Sequence, residues 1–296
     1  MNSRKGVYQM ITDRIIERLE AGSIPWHKPW TGVSMPMSLA TKQPYRGINA
    51  FLLASMGYES PYWVTWNQLK KLDGSVKGGQ KACPLVFWKW REKATEETEE
   101  HGGPAAEGLP VLRYYRVFNV EQCTGIEEKI PEVESAVHDH DPIDAATEVI
   151  SAMPEPPRIE TGRSQASYCP TTDTVSMPSL KRFESAEAYH ATLFHELVHS
   201  TGASTRLARK GVTQTASFGS GTYSREELVA EMGAAFLCGQ AGIAPAVIDN
   251  SAAYIQGWLR RLQNDKRLVV TAASQAQKAV DFILGGAQAR ATASTE

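Results

Sequence analysis

TLFHELVHSTG, residues 192–202, sets two histidines and a glutamate among apolar side chains. Residues four apart share a face of an α-helix, so His195 and His199 can present their imidazoles to one point. Glu196 projects to one side of that point. Together they form the H-E-x-x-H arrangement, in which the histidines bind zinc and the glutamate acts as general base. The flanking residues favour a helix. Ser185 is a suitable N-cap, Glu187 falls in the favourable first turn, and Gly202 suits a left-handed residue after the last turn. Ala188, Thr192, Leu193, Leu197 and Val198 recur at helical spacing, which buries one side. Histidines on a buried helix need a partner, and a metal ion supplies one.

Two histidines are too few, because catalytic zinc takes three protein ligands and keeps an open position. No histidine follows His199, so a carboxylate is required. YSREELVAEMGAAFL, residues 223–237, offers three. Glu227 and Glu231 share a helix face, so one can bind metal while the other orients a ligand histidine. The preferred assignment is Glu227 as ligand with Glu231 behind it, the reverse being the alternative; Glu226 lies off that face. Ser224 and Glu227 also fit a capping box, a purely structural reading of Glu227. In the chemistry this set supports, zinc acidifies water and polarises a carbonyl, and Glu196 takes the proton and passes it to a leaving amine. Tyr168 and Tyr223 flank the metal-binding segments and are candidate donors to an oxyanion, though such tyrosines are more often packed aromatics.

The chain has 296 residues, 42% hydrophobic and 22% charged, with net charge −2, as befits a soluble globular protein. Four scattered cysteines form no C-x-x-C pair, which favours a reducing cytoplasm. The N-terminus carries no signal-peptide pattern, and the most apolar stretch, 228–248, is interrupted by Glu231 and Gln240, so no membrane association is expected. Charge is unevenly spread. Residues 1–90 hold 12 basic and 5 acidic residues and six of the seven tryptophans, whereas 91–160 are strongly acidic.

This asymmetry predicts two domains, and the helices and strands expected along the chain make the protein α+β. A small basic α+β domain, 1–126, contains an acidic mobile loop at about 92–110; an acidic linker, 127–140, leads to the domain that carries H-E-x-x-H, 141–286, and a tail, 287–296. Tyr8, Ile11, Ile15 and Leu19 predict a first helix ending at Ala21-Gly22, and SIPWHKPW should be extended. A short buried helix is expected at 47–56 and another capped by Thr65. Strands are expected after the glycine turn in GSVKGGQKACPLVFWKW, in VLRYYRVFNV and in TTDTVSMP, and a helix from Asp141-Pro142. Basic side chains interleaved with aromatics suit single-stranded nucleic acid, although tryptophans commonly fill a core. VKGGQKACPLVFWKW and Tyr45-Arg46 are the preferred surfaces, with Arg46, Lys77, Lys81 and Lys89 as candidate contacts.

Several of these segments resemble one family. YQMITDRIIERLEAGSIPWHKPW, PYRGINAFLL, VKGGQKACPLVFWKW and RVFNVEQCTGI are similar to the single-strand-binding N-terminal domain of ArdC-type antirestriction proteins, found also in TraC-type plasmid primases. YCPTTDTVSMP, FHELVHSTG with the following RLAR, and YSREELVAEMGAAFL resemble the zincin-like domain of the same proteins. The resemblance implies a conjugative-plasmid protein that protects incoming DNA from host restriction, binds single-stranded DNA and holds a metal, zinc or a substitute such as manganese or cobalt. It implies two alternatives for the metal site: a peptidase acting on a restriction enzyme or another DNA-bound protein, or a structural centre in a protein that only shields DNA or blocks the restriction enzyme.

Overall fold

The computed structural model describes residues 6–22, 24–25, 35–91, 109–132, 142–214, 221–243 and 252–285. SIPWHKPW apart from Ile24 and Pro25, nearly all of the acidic loop, most of the linker and the tail lie outside them.

Helix α1, Val7–Glu20, buries Ile11, Ile15 and Leu19, the stripe its spacing predicts. A four-stranded sheet follows, ordered β1-β2-β5-β4 and built from β1 (Met37–Ser38), β2 (Tyr62–Thr65), β4 (Cys83–Arg91) and β5 (Leu109–Asn119). β1 and β2 run parallel; β4 and β5 form a long antiparallel ribbon in which Cys83 faces Val117 and Phe87 faces Arg113. Between its strands lie α2 (Ile48–Ala54), α3 (Trp66–Lys71) and β3 (Ser75–Val76), the last paired with β6 (Cys123–Thr124). Thr65 caps α3 reciprocally with Gln68, which fixes where β2 turns into the helix.

The C-terminal part begins with α4 (Pro142–Ala152) and a three-stranded sheet, β7 (Arg158–Thr161), β8 (Ser167–Cys169) and β9 (Thr174–Met177), in the order β7-β9-β8. Helices then dominate: α5 (Ala186–Ser200), α6 (Lys210–Thr213), α7 (Gly221–Ala241), α8 (Ala252–Asn264) and α9 (Leu268–Ile283). None among the described residues is long and apolar enough to cross a membrane. The architecture is α+β.

The two parts share one core. A single cluster of buried apolar residues runs from Ile11 and Phe51 through Phe194 and Phe236 to Ile283. α1 packs on α8 and α9, and Phe51 of α2 meets Phe236 of α7 with ring centroids 4.5 Å apart. Across the same seam Arg46 pairs with Asp281, and Gln277 Oε1 accepts from the Gly47 amide at 3.0 Å.

A shared core predicts one cooperative unfolding transition. Tryptophan fluorescence, weighted to the N-terminal part, and far-ultraviolet circular dichroism, weighted to the C-terminal helices, should report coincident melts. Phe51→Ala should lower both together by about 3–5 kcal/mol; separate transitions would contradict the shared core.

Candidate metal centre and nucleic-acid surface

α5 starts where the sequence reading places it. The Ser185 hydroxyl accepts from the Ala188 amide at 3.1 Å, and Glu187 lies in the first turn. Its end is built differently. Gly202 is not left-handed; instead, a Cβ there would lie 2.4 Å from Cγ2 of Val212, so glycine is needed for close packing. The capping box is also overturned. α7 begins at Gly221, three residues before Ser224, whose hydroxyl is buried without a hydrogen-bond partner among the described residues. Glu227 therefore projects from within the helix and is free of any capping duty.

One donor atom from each of His195, His199 and Glu227 converges to within 4.8 Å. The two histidine Nε2 atoms are 3.1 Å apart, and each lies 3.6 Å from a Glu227 carboxylate oxygen. Two nitrogens bound about 2.0–2.1 Å from a tetrahedral ion sit about 3.3 Å apart, so the imidazoles are spaced as chelating ligands are. Two neutral-capable nitrogens and one carboxylate form a donor set for a divalent cation. Burial disfavours a charged His195, but hydrogen bonding to Glu227 and the charges of Glu196, Glu227 and Glu231 outweigh it and raise its pKa. That is a strongly negative pocket, which a cation would neutralise. Glu196 is buried beside the cluster. The Tyr223 hydroxyl is within hydrogen-bonding reach of Glu227, its pKa raised by burial and by that carboxylate. Tyr168 instead donates to Asp173 at 2.9 Å.

The carboxylate behind His199 is Glu226, which helical spacing alone sets off the ligand face. His199 Nδ1 donates to Glu226 Oε1 at 3.4 Å, while the hydroxyl of Tyr254 bonds Glu231. Neither histidine Nδ1 is bonded to Glu231: His195 Nδ1 is buried and unpartnered among the described residues. Glu231 contributes to His195 through its charge. Glu226 is itself gripped by Arg209, whose guanidinium donates to Oε1 at 2.6 Å and to Oε2 at 3.1 Å. Both side chains are buried. Burial would raise the Glu226 carboxyl, yet hydrogen bonds from His199 and Arg209 hold it down at about 2. Arg209 also donates to the Val198 carbonyl and the Thr201 hydroxyl, at 2.7 and 2.6 Å. Arg206, the other arginine of RLAR, donates to both Asp173 oxygens and to the Ser200 carbonyl. The two arginines thus fix the exit of the histidine helix. Glycine at 211 makes room, since a Cβ there would come 2.7 Å from that of Glu226.

The candidate nucleic-acid contacts do not gather at one place. Arg46 is tied to Asp281, and Lys77 Nζ donates to the Glu121 carbonyl at 2.8 Å. Lys81 is exposed. Lys89 lines a shallow groove of about 350 Å³ with Phe87, Val111, Arg113 and Tyr114. Phe87, Trp88, Tyr114 and Trp66 are each more than 40% exposed, whereas Trp63 is buried, so the tryptophans divide between core and surface. The Arg116 guanidinium sits 5.6 Å above the Tyr114 ring. Arg113, Tyr114 and Arg116 were readable as a cation–aromatic alternation in RYYR, a signal the sequence reading used only for a strand.

Replacing either metal-site histidine by alanine should sharply lower bound metal and thermal stability, measured by elemental analysis and melting. Glu226→Gln should weaken metal affinity by about 10–100-fold by competition with a chelator, as loss of a carboxylate behind a ligand histidine does. An unchanged affinity would show that Glu226 is only a structural partner of Arg209.

Comparison with known proteins agrees with this anatomy. Residues 5–118 match the family model of the N-terminal domain of anti-restriction factor ArdC, and 145–275 that of a zincin-like metallopeptidase. The crystal structure of antirestriction protein ArdC from plasmid R388 in its metal-free form is 38% identical with TM-score 0.74, covering 96% of this chain and 98% of that one. The Mn(II)-bound form is 36% identical with TM-score 0.73, covering 99% and 100%. A DNA primase TraC of Escherichia coli is 33% identical over 95% of this chain, which spans only 27% of the primase. The uncharacterized protein y4eC of Sinorhizobium fredii is 31% identical over 94% of this chain and 91% of its own length. Matched from end to end by such relatives, the chain belongs to the ArdC-type antirestriction family.

Proposed function

We propose that this chain protects incoming plasmid DNA from host restriction in the cytoplasm, binding single-stranded DNA and cleaving a protein at a zinc site held by His195, His199 and Glu227. The observation that carries the enzymatic reading is the buried Glu196 beside a three-donor cluster of which it is not itself a member. Zinc suits two imidazoles and one carboxylate, and the Mn(II)-bound relative favours manganese as a substitute. A divalent metal there supplies a Lewis acid that acidifies water and polarises a carbonyl. The Glu196 carboxylate takes the proton of the attacking water and returns it to the departing amine nitrogen. Tyr223, whose hydroxyl reaches Glu227 at the edge of the cluster, would donate its hydroxyl proton to a developing oxyanion. Lys89 and Arg113 hold phosphates beside Phe87 on one face of the β4–β5 ribbon, where the register sets Phe87 opposite Arg113, while Tyr114, Arg116 and Trp88 offer bases and phosphates the other face. The protein cut would be a restriction subunit or another DNA-bound protein, brought within reach by the tether. The exposed cation–aromatic ribbon favours a second reading, in which DNA shielding alone protects and the metal only stabilises the fold.

Glu196→Gln separates the two. It should retain metal and fold, lose hydrolysis, and protect unmodified DNA in a restricting host no better than His195→Ala. Protection equal to wild type by the metal-loaded variant would instead establish the shielding reading.

A further inference from the structure

β4 is an edge strand, and the way its free edge is covered leaves a cleft at the seam between the two parts of the chain. At Val86 the edge is closed by a side chain: Asn49 Oδ1 accepts from the Val86 amide and Asn49 Nδ2 donates to the Val86 carbonyl, both at 2.8 Å. Beside it runs α9, fastened to the start of α2 through Gln277 and Asp281. Between them a cleft of about 240 Å³ is lined by Asn49, Val86, Trp88, Val270, Ser274 and Lys278, among others. This is below the roughly 300–1,000 Å³ of sites for drug-sized ligands, and on the scale of one planar base.

The mouth of the cleft has the chemistry of a single-strand path. Trp88 is 46% exposed. The Tyr8 ring meets it edge-on, centroids 6.5 Å apart, and the Arg267 guanidinium lies 5.3 Å above Tyr8. Lys266, Arg267 and Lys278 are exposed. The acid at the cleft, Asp281, is already paired with Arg46, so the rim is left cationic. Exposed aromatic surface flanked by cations that pair with no acid among the described residues suits bases and phosphates; an apolar protein partner would meet the same rim as a desolvation cost.

We propose that the single strand crosses the seam. It leaves the β4–β5 ribbon at Trp88 and continues onto α9, with one base at the cleft against Trp88 and with Lys278 and Arg267 on phosphates. This rests on the single-strand reading above and extends the footprint beyond the N-terminal family domain.

The test uses the full-length protein and fluorescein-labelled oligothymidylate, with anisotropy read across a salt series. The double variant Arg267→Glu/Lys278→Glu should bind at least about tenfold more weakly and lose about 1.4 from the slope of log affinity against log salt, two single-strand phosphate contacts. Trp88→Ala should also lose about tenfold, with little change in slope. Lys181→Glu/Arg182→Glu, equal in charge and exposed elsewhere on the C-terminal part, should bind as wild type. Melting temperature and metal content should stay unchanged throughout. The proposal is overturned if Arg267→Glu/Lys278→Glu binds as wild type while Lys89→Glu/Arg113→Glu fails, which confines the path to the ribbon. It is equally overturned if the control double variant loses as much, which makes the effect one of net charge. Absence of binding by wild type removes the single-strand reading itself, and this extension with it.

Discussion

The candidate metal cluster draws its donors from two helices, and everything near it follows from how closely those helices must approach. A glutamate side chain is short, so Glu227 of α7 meets the imidazoles of α5 only if the backbones nearly touch. Gly233 permits this: a Cβ there would lie 2.6 Å from Cγ2 of Val198, the residue preceding the second histidine. Contact so tight leaves no slack for the polar groups trapped around it. Arg209 absorbs that constraint by satisfying Glu226, the Val198 carbonyl and the Thr201 hydroxyl together. A buried ion pair of this kind adds little to stability over an apolar substitute, but removing one partner strands a charge. Its value here is positional, because Glu226 bonds the imidazole of His199.

The parts of this arrangement that were legible in the sequence are local ones. H-E-x-x-H encodes a shared helix face, Ser185 a cap, and Thr65 with Gln68 a reciprocal cap, each within a few residues of itself. The lack of a histidine after His199 called for a carboxylate as third donor, with Glu227 preferred and Glu231 the alternative. What was not legible depends on contacts between segments. Choosing Glu231 as the orienting residue followed helical spacing along α7, yet the partner of a histidine on α5 is decided by how α7 is rolled against it. That roll brings Glu226 to His199 and leaves Glu231 with Tyr254 of α8. Gly202 misled for the same reason: its glycine answers to Val212 rather than to its own backbone angle. Ser224 looked like a cap because nothing in the sequence shows that the helix has already begun three residues earlier.

The break in composition near residue 90 conceals a further long-range fact. Charge and tryptophan content separate the two parts, but the core does not, since α1 and α2 bury their apolar faces against α7, α8 and α9. An amphipathic stripe announces that it will be covered and is silent about by what. The consequence is functional. α9 lies against α2 on one side and α7 on the other, so the cation–aromatic surface and the metal cluster are carried on one continuous packed body. A strand bound on that surface would be held in a fixed relation to the cluster, as a tethered enzyme requires.

A single divalent ion held jointly by His195, His199 and Glu227 is what the whole arrangement requires. Anomalous diffraction from crystals of the zinc-loaded protein, collected on both sides of the zinc edge, tests it most directly. One strong peak is expected, bonded to both Nε2 atoms and to a Glu227 oxygen at about 2.0–2.2 Å, with Glu226 behind His199. A peak elsewhere, or one completed by Glu231 with Glu227 turned away, would contradict it.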